Sequence, residues 1–423
     1  MKRNALAGAV VSALGLLAGS EAHAAAFALY EQGVSGLGNA YAGAAAVAED
    51  ATTVWWNPAG MSRLGAGKHF AIAGTLIAPS TKFNDRASVK ATGLPPLGDT
   101  GGDAGDTALV PSLFYAMDIN PRWNFGLGIS VPFGLKTEYT PTWLGRFQGI
   151  KSEVKTLNIN PAVSWKLSDA ASFGFGLNYQ RGKIDLLTAV NPVTAPEGQN
   201  KINVDGDAWG FNVGTLFNVT PATRVGIHYR SSLKYKLDGT TTFSGLPPSP
   251  LFANGNVKLD LKTPDSLAFS GAHKLSDRWD LLADLTWWHW KRIQSLPVVR
   301  DSGSTLSTLT FNFKDTWRAS IGANYKMSEP WTLKLGVAYD QTPVPNAETR
   351  SVRLPDGDRY WFSVGAKYQV SRNGALDVGY TFVKARNVDI NNVQNTATTF
   401  SGNVVGSYKA HVNVFGVQYQ HSF

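Results

Sequence analysis

From Lys68 onward the chain repeats one pattern: a segment of about ten residues alternating apolar and polar, followed by a connection. Between Trp331 and Asp340, for example, Trp331, Leu333, Leu335, Val337 and Tyr339 fall on one face and Thr332, Lys334, Gly336 and Asp340 on the other. Fourteen such segments begin near residues 68, 107, 122, 152, 172, 207, 223, 256, 279, 312, 331, 358, 374 and 408. Their connections alternate in length. Asn120-Pro121, Ser168 to Ala171, Val219 to Ala222, Ser276-Asp277, Ser328 to Pro330 and Ser371 to Gly374 are tight turns, and the connections between them are long. An even strand count with this alternation predicts an outer-membrane barrel, with short periplasmic turns and long external loops. A soluble β-sandwich would alternate along each strand but would not require the regular connections.

Aromatic residues mark depth. Trp123, Trp279 and Trp331 each stand at the first strand position after a short turn, which predicts a periplasmic girdle. Trp287-Trp288-His289-Trp290 ends the ninth segment before a long loop and is assigned to the outer interface. Pro111, Pro132 and Pro161 fall inside the second, third and fourth segments, where each removes a ladder donor and predicts a bulge or break.

Before the barrel come two other stretches. Lys2 and Arg3, an apolar run from Ala5 to about Ala18, and Ala22-His23-Ala24 read as a cleaved export signal, residues 1–24. The run is shorter than the roughly 20 residues a membrane helix needs. Ala26 to Leu64 is rich in small residues that favour helix and allow close packing, and Asn57-Pro58-Ala59 should stop that helix with the Asn57 amide free to bond backbone. A fourteen-stranded lumen leaks unless something occupies it, so residues 25–65 are expected to be a plug inside the barrel of 66–423; a plug that only braces the wall is the plainer alternative.

Composition narrows the function. Cysteine is absent, which removes disulfides, thiolate metal sites and cysteine nucleophiles. The 39 basic residues exceed the 31 acidic ones, but they are scattered singly, unlike a nucleic-acid-binding stripe. No nucleotide, hydrolase or zinc motif is present and the seven histidines are dispersed, so neither an enzyme, nor a cofactor, nor a metal is expected. A lipid-acting barrel enzyme would not need those motifs and stays as a minor alternative.

Two stretches carry a family likeness. GLGNAYAGAAAVAEDATTVWWNPAG and, far downstream, PVPNAETRSVRLPDGDRYWFSVGAKY resemble the hatch and a late loop and strand of the FadL-type outer-membrane transporters. The resemblance implies an all-β fold: a transmembrane antiparallel barrel of 14 strands with a small helix-containing N-terminal hatch in the lumen. It also implies passive uptake of hydrophobic compounds, long-chain fatty acids first and monoaromatic hydrocarbons as the alternative. The expected partners are that ligand, outer-membrane lipid and lipopolysaccharide, with the protein a monomer.

In that family a kink in the third strand opens the wall sideways. Here it would lie at Pro132, Phe133 and Gly134, facing the hatch near Asn57, and bulky replacements at Gly134 would slow uptake. Arg181 resembles a family arginine that lines the ligand pocket, yet alternation from Phe173, Phe175, Leu177 and Tyr179 turns it outward, where lipopolysaccharide phosphates would meet it; one bulge would reverse this. A second basic pocket residue expected shortly before Phe313 has no counterpart, which keeps the hydrocarbon alternative open. Trp143, Leu144 and Phe147, Leu186 and Leu187, and Leu246, Leu251 and Phe252 are apolar residues in external loops, expected either to collect ligand or to pack together and order the loops.

Overall fold

The computed structural model describes residues 26–91, 97–193, 195–395 and 400–423. The expected export signal lies outside these residues. Twenty strand segments form fourteen wall strands, six of them broken once. These are β1 (Lys68–Asp85), β2 (Ala108–Asn120), β3 (Trp123–Ser130 and Gly134–Glu138), β4 (Lys151–Lys166) and β5 (Ala171–Val190). Next come β6 (Gly198–Thr220), β7 (Thr223–Arg230 and Lys234–Ser244), β8 (Gly255–Lys262 and Ser266–Lys274) and β9 (Trp279–Trp288 and Ser295–Arg300). The wall ends with β10 (Thr305–Thr310 and Thr316–Lys326), β11 (Trp331–Asp340), β12 (Arg359–Gln369), β13 (Gly374–Ala385 and Val388–Asn395) and β14 (Phe400–Ser422). Each strand pairs antiparallel with the next, and β14 pairs with β1 from His69↔Ser422 to Asp85↔Gly406, which closes the barrel.

The tight turns are held by the side chains that marked them. Asn120 Oδ1 accepts from the amides of Arg122 (2.9 Å) and Trp123 (3.0 Å), and Ser276 Oγ accepts from Arg278 (3.3 Å) and Trp279 (3.1 Å). β6 and β14 begin at Gly198 and Phe400, earlier than their lipid-facing apolar residues implied. Each spans 23 residues, more than the roughly 9–11 a membrane crossing needs, so their outer ends stand above the bilayer.

Two rings of cross-strand aromatic pairs bound the apolar belt. The lower ring holds Trp279 against Tyr325 (4.7 Å between centroids) and Trp331 against Tyr368 (4.6 Å), with Trp123 stacked on Trp165. The upper ring holds Tyr339 against Tyr360 (5.3 Å) and Tyr179 against Trp209 (5.0 Å), with Trp287 opposite Trp317. Trp279 to Trp287 and Trp331 to Tyr339 are the same number of residues apart, about 26 Å along a strand and less after tilt, comparable to the ~25 Å apolar band of such barrels. Only the first tryptophan of the Trp287–Trp290 run stays at the outer interface. Trp288 and Trp290 turn into the lumen, Trp290 fully buried.

Above the upper ring the wall changes character. On β7, Val225, Ile227 and Tyr229 are the half-exposed outer set, whereas Leu233, Tyr235 and Leu237 beyond the break are buried and Lys234 and Lys236 are exposed. On β8 the same exchange separates buried Val257, Leu259 and Leu261 from outer Leu267 and Phe269. β3 repeats it, with Phe125, Leu127 and Ile129 outside and Phe133 and Leu135 inside. The apolar alternation continues through each break, but the break rotates the strand by one position. Apolar side chains therefore face lipid below and line the lumen above.

The hatch, residues 26–64, fills the lower lumen. Its helices are single turns, α1 (Ala44–Val47) and α2 (Thr53–Trp56), with 3-10 turns at Leu37–Asn39 and Pro58–Arg63. The small residues serve close approach more than helix length: the wall presents glycines where hatch backbone lies against it. A Cβ on Gly174 would collide with the Ala59 amide and the Pro58 carbonyl carbon, and one on Gly336 with the Asn39 carbonyl.

Candidate ligand chamber and wall break

Of the three prolines expected to mark a bulge or break, Pro132 is the one that stands in a break between strand segments. Pro111 sits within β2 opposite Gly74, and Pro161 within β4 opposite Leu127. The β2–β3 register runs from Asn120↔Trp123 only to Leu113↔Ile129. Across the break the β3–β4 pairing shifts by one residue, from Ser130↔Asn158 to Gly134↔Lys155.

The hatch repairs the interruption. The Leu29 amide donates to Pro132 O (2.9 Å), the Gly134 amide donates to Phe27 O (2.9 Å), and Gln32 Nε2 donates to Val131 O (2.7 Å). The Thr156 hydroxyl from β4 holds both the amide (3.0 Å) and the carbonyl (2.6 Å) of Phe133. The hatch segment that faces the break is thus Phe27–Gln32, where Asn57 was expected. Asn57 lies elsewhere, buried against β6: its Nδ2 donates to Ala45 O (2.7 Å) and Thr215 O (3.0 Å), and its Oδ1 accepts from Ala59 (3.1 Å). Its backbone is extended, as the following proline requires, and Pro58 begins the last 3-10 turn.

Above the break the β1–β2 loop bridges the wall. The Ala104 amide donates to Thr81 O (2.9 Å) and the Glu138 amide donates to Ala104 O (3.1 Å), while Lys136 pairs with Asp106 and Glu138 (3.1 Å). The hydrogen bond from Lys136 holds the Asp106 carboxyl below its ordinary range.

Behind the break lies a small chamber of about 50 Å³. Leu29, Tyr30, Trp55, Trp56, Phe133 and Trp288 supply its apolar walls. His228, Arg230, Asp284 and Thr286 are its polar inner side. Arg230, on the inner face of β7, is 8% exposed; its guanidinium lies 3.4 Å from the Trp55 ring centroid, donates to Trp55 O (2.9 Å) and bonds Asn178 Oδ1. Asp284 is engaged by Ser270 and by the Thr286 hydroxyl (2.7 Å). In the sequence Tyr30, Trp55 and Trp56 were legible only as plug residues, Phe133 as part of the expected wall opening and Trp288 as an interfacial tryptophan. Arg230 carried no signal beyond its place at the end of a segment.

A second set of interior charges fastens the hatch. Lys334, 2% exposed, donates to Ser35 O (2.7 Å), Glu49 (2.8 Å) and Asp377 (3.1 Å), and Lys367 pairs with Glu49 (3.1 Å).

The other expected site residues are dispersed. Arg181 faces outward, its side chain 60% exposed and paired with Asp205 and Asp207; the β4–β5 and β5–β6 registers run without a shift, so no bulge turns it inward. Trp143, Leu144 and Phe147 are buried and present no collecting surface. Trp143 stacks on Tyr139 (3.8 Å) and donates to Gly149 O (2.8 Å), because the loops close over the lumen and give these rings a core of their own. Leu186 is buried as well. Leu251 stays 76% exposed at the β7–β8 tip, with Leu246 and Phe252 half-buried beside it.

The geometry is that of an outer-membrane barrel with a plugged lower lumen, an apolar upper lumen and a chamber beside a wall break. The profile of the family described as outer membrane protein transport protein (OMPP1/FadL/TodX) matches residues 15–423. A putative outer membrane protein of Neisseria meningitidis is 31% identical, covering 96% of each chain. The long-chain fatty acid transport protein of Salmonella typhi is 31% identical over 88% of this chain and 90% of its own. Among solved structures, a Pseudomonas aeruginosa FadL homologue superposes with a TM-score of 0.88 at 26% identity, covering 94% of this chain and 100% of that one. The Pseudomonas putida toluene transporter TodX shares the fold, with a TM-score of 0.70 at 20% identity over 92% of this chain and 99% of its own. The chain belongs to the OMPP1/FadL/TodX family of outer-membrane transport proteins.

Proposed function

We propose that this protein takes up hydrophobic compounds passively, long-chain fatty acids foremost, and releases them sideways into the membrane through the break at Pro132, Phe133 and Gly134. The observation that carries the proposal is the apolar chamber sharing Leu29, Pro132 and Phe133 with that break, where hatch backbone stands in for the missing wall partner. Ligand arrives at the β7–β8 tip, with Leu246, Leu251 and Phe252 as first contacts. It descends along the apolar upper lumen, whose burial disfavours return to water. In this reading residues 1–24 are the export signal, 25–65 the hatch and 66–423 the barrel, which acts as a monomer with Arg181 turned to lipopolysaccharide. The aromatic walls of the chamber favour monoaromatic hydrocarbons as the second ligand class.

The test is a reversible clasp across the break. Ala28 and Phe133 are bridged without direct hydrogen bonds between them, the closer kind of antiparallel pair, and the chain has no cysteine of its own. In Ala28→Cys/Phe133→Cys, oxidation should abolish oleate uptake by cells and a reductant should restore it. Uptake that is equal in both redox states refutes lateral release, and toluene uptake without oleate uptake selects the second class.

A further inference from the structure

Resting on the reading of the chamber as the ligand site, we infer that Arg230 is the residue that binds the ligand's carboxylate, with the acyl tail directed at the wall break. Arg230 is a buried cation surrounded by neutral partners. The Trp55 ring and carbonyl and the Asn178 amide oxygen orient it, and among the described residues no ion pair joins it to a carboxylate. The chamber's own acid, Asp284, is held by two hydroxyls. Of the other buried cations of the barrel interior, Lys334 has two carboxylates and Arg359 has Asp340 at 3.4 Å; Arg318, like Arg230 without an ion pair among the described residues, lies over the Tyr30 and Trp361 rings and does not line the chamber.

A guanidinium out of water with no counter-charge is costly, and an arriving anion relieves that cost. The planar fork offers five N–H donors, which suits a carboxylate. Whatever reaches it must also satisfy the aromatic walls, so the ligand is an anion carried on an apolar body. Trp55 stacks beside Arg230, while Leu29, Pro132 and Phe133 lie at the break and line the same chamber. A carboxylate at Arg230 therefore directs the tail toward the opening. The ligand enters the membrane tail first, and its head group is the last part to leave.

The experiment measures equilibrium binding of oleate and methyl oleate to purified protein in micelles, read by the fluorescence of the chamber tryptophans. Wild type should prefer oleate. Arg230→Gln should weaken oleate about tenfold or more, the range for a hydrogen bond to a charged group, and leave methyl oleate within about twofold. Arg230→Lys should recover part of the preference. Asn178→Asp keeps the guanidinium in place but neutralises it, and should also weaken oleate selectively. If both ligands weaken together in Arg230→Gln and Asn178→Asp, Arg230 only braces the hatch; if neither weakens, or wild type does not prefer oleate, the anchor is elsewhere. Each of these results overturns the inference. Because no exit step enters the measurement, failure of lateral release leaves it standing, and failure of both ligands to bind wild type would instead remove the chamber reading.

Discussion

The break in β3 and the breaks in β7 and β8 rotate the wall in the same way, yet they are closed by different means. In β7 and β8 the wall closes itself. The Ser231 amide donates to Phe211 O (2.9 Å), the Thr263 hydroxyl accepts from Leu233 (2.9 Å), and Asp265 accepts from Tyr229 (3.2 Å) and the ring of His289 while pairing with Arg292. In β3 the donors and acceptors turned toward the lumen are met by hatch backbone and Gln32. A break sealed by neighbouring strands opens only if the barrel unfolds. One sealed by the plug depends on where the plug sits, which sets the β3 break apart from the structural rotations of β7 and β8.

The largest effect should follow from lifting the plug. Gly174→Leu, where hatch backbone leaves no room for a side chain, should keep the barrel assembled, seen as a heat-modifiable band on gels, but make cells leaky to large antibiotics. Unaltered antibiotic exclusion would show that the hatch seats without this contact. A smaller effect is expected at the self-sealed breaks. Asp265→Ala leaves Arg292 and Tyr229 without their acceptor and should lower barrel stability by about 1–3 kcal/mol in denaturant titration, with oleate uptake unchanged. A loss of uptake without loss of stability would erase the distinction between the two kinds of break. Smallest of all, Arg181→Ala removes a half-exposed surface pair and should cost less than about 1 kcal/mol, with uptake as in wild type. Reduced oleate uptake there would return the carboxylate anchor to the outer face.

The fold was legible because each of its signals is local. Alternation, the Asn and Ser residues of the tight turns, and the girdle positions of Trp123, Trp279 and Trp331 act within a few residues of one another. The break at Pro132 was legible for the same reason, since a proline removes its own donor. Its partner was not: Phe27–Gln32 meets residues about a hundred positions away, and no feature of Asn57 or of Phe27 announces which of them the break will face. Arg230 was missed because an arginine at the end of an amphipathic segment looks the same whether its charge is balanced or bare. Trp143, Leu144 and Phe147 were legible as out of place in a loop, but only the packing of the β1–β2, β3–β4 and β11–β12 loops and the neighbouring strand ends made them a core.

What the sequence by itself determined is the alternation, hence strands, their number and the depth at which they meet the membrane. It did not determine which side of the wall an apolar residue faces. On β5 the residues themselves change phase, from Phe173, Phe175, Leu177 and Tyr179 outside to Ile184 and Leu186 inside, along an unbroken backbone. On β7 one run, Val225, Ile227, Tyr229, Leu233, Tyr235 and Leu237, keeps its phase while the backbone turns beneath it. An odd-numbered apolar residue is equally content against lipid or against an apolar lumen, because both exclude water. Only the tertiary structure, by placing the break at the height where lipid gives way to water, decided which of the two it met.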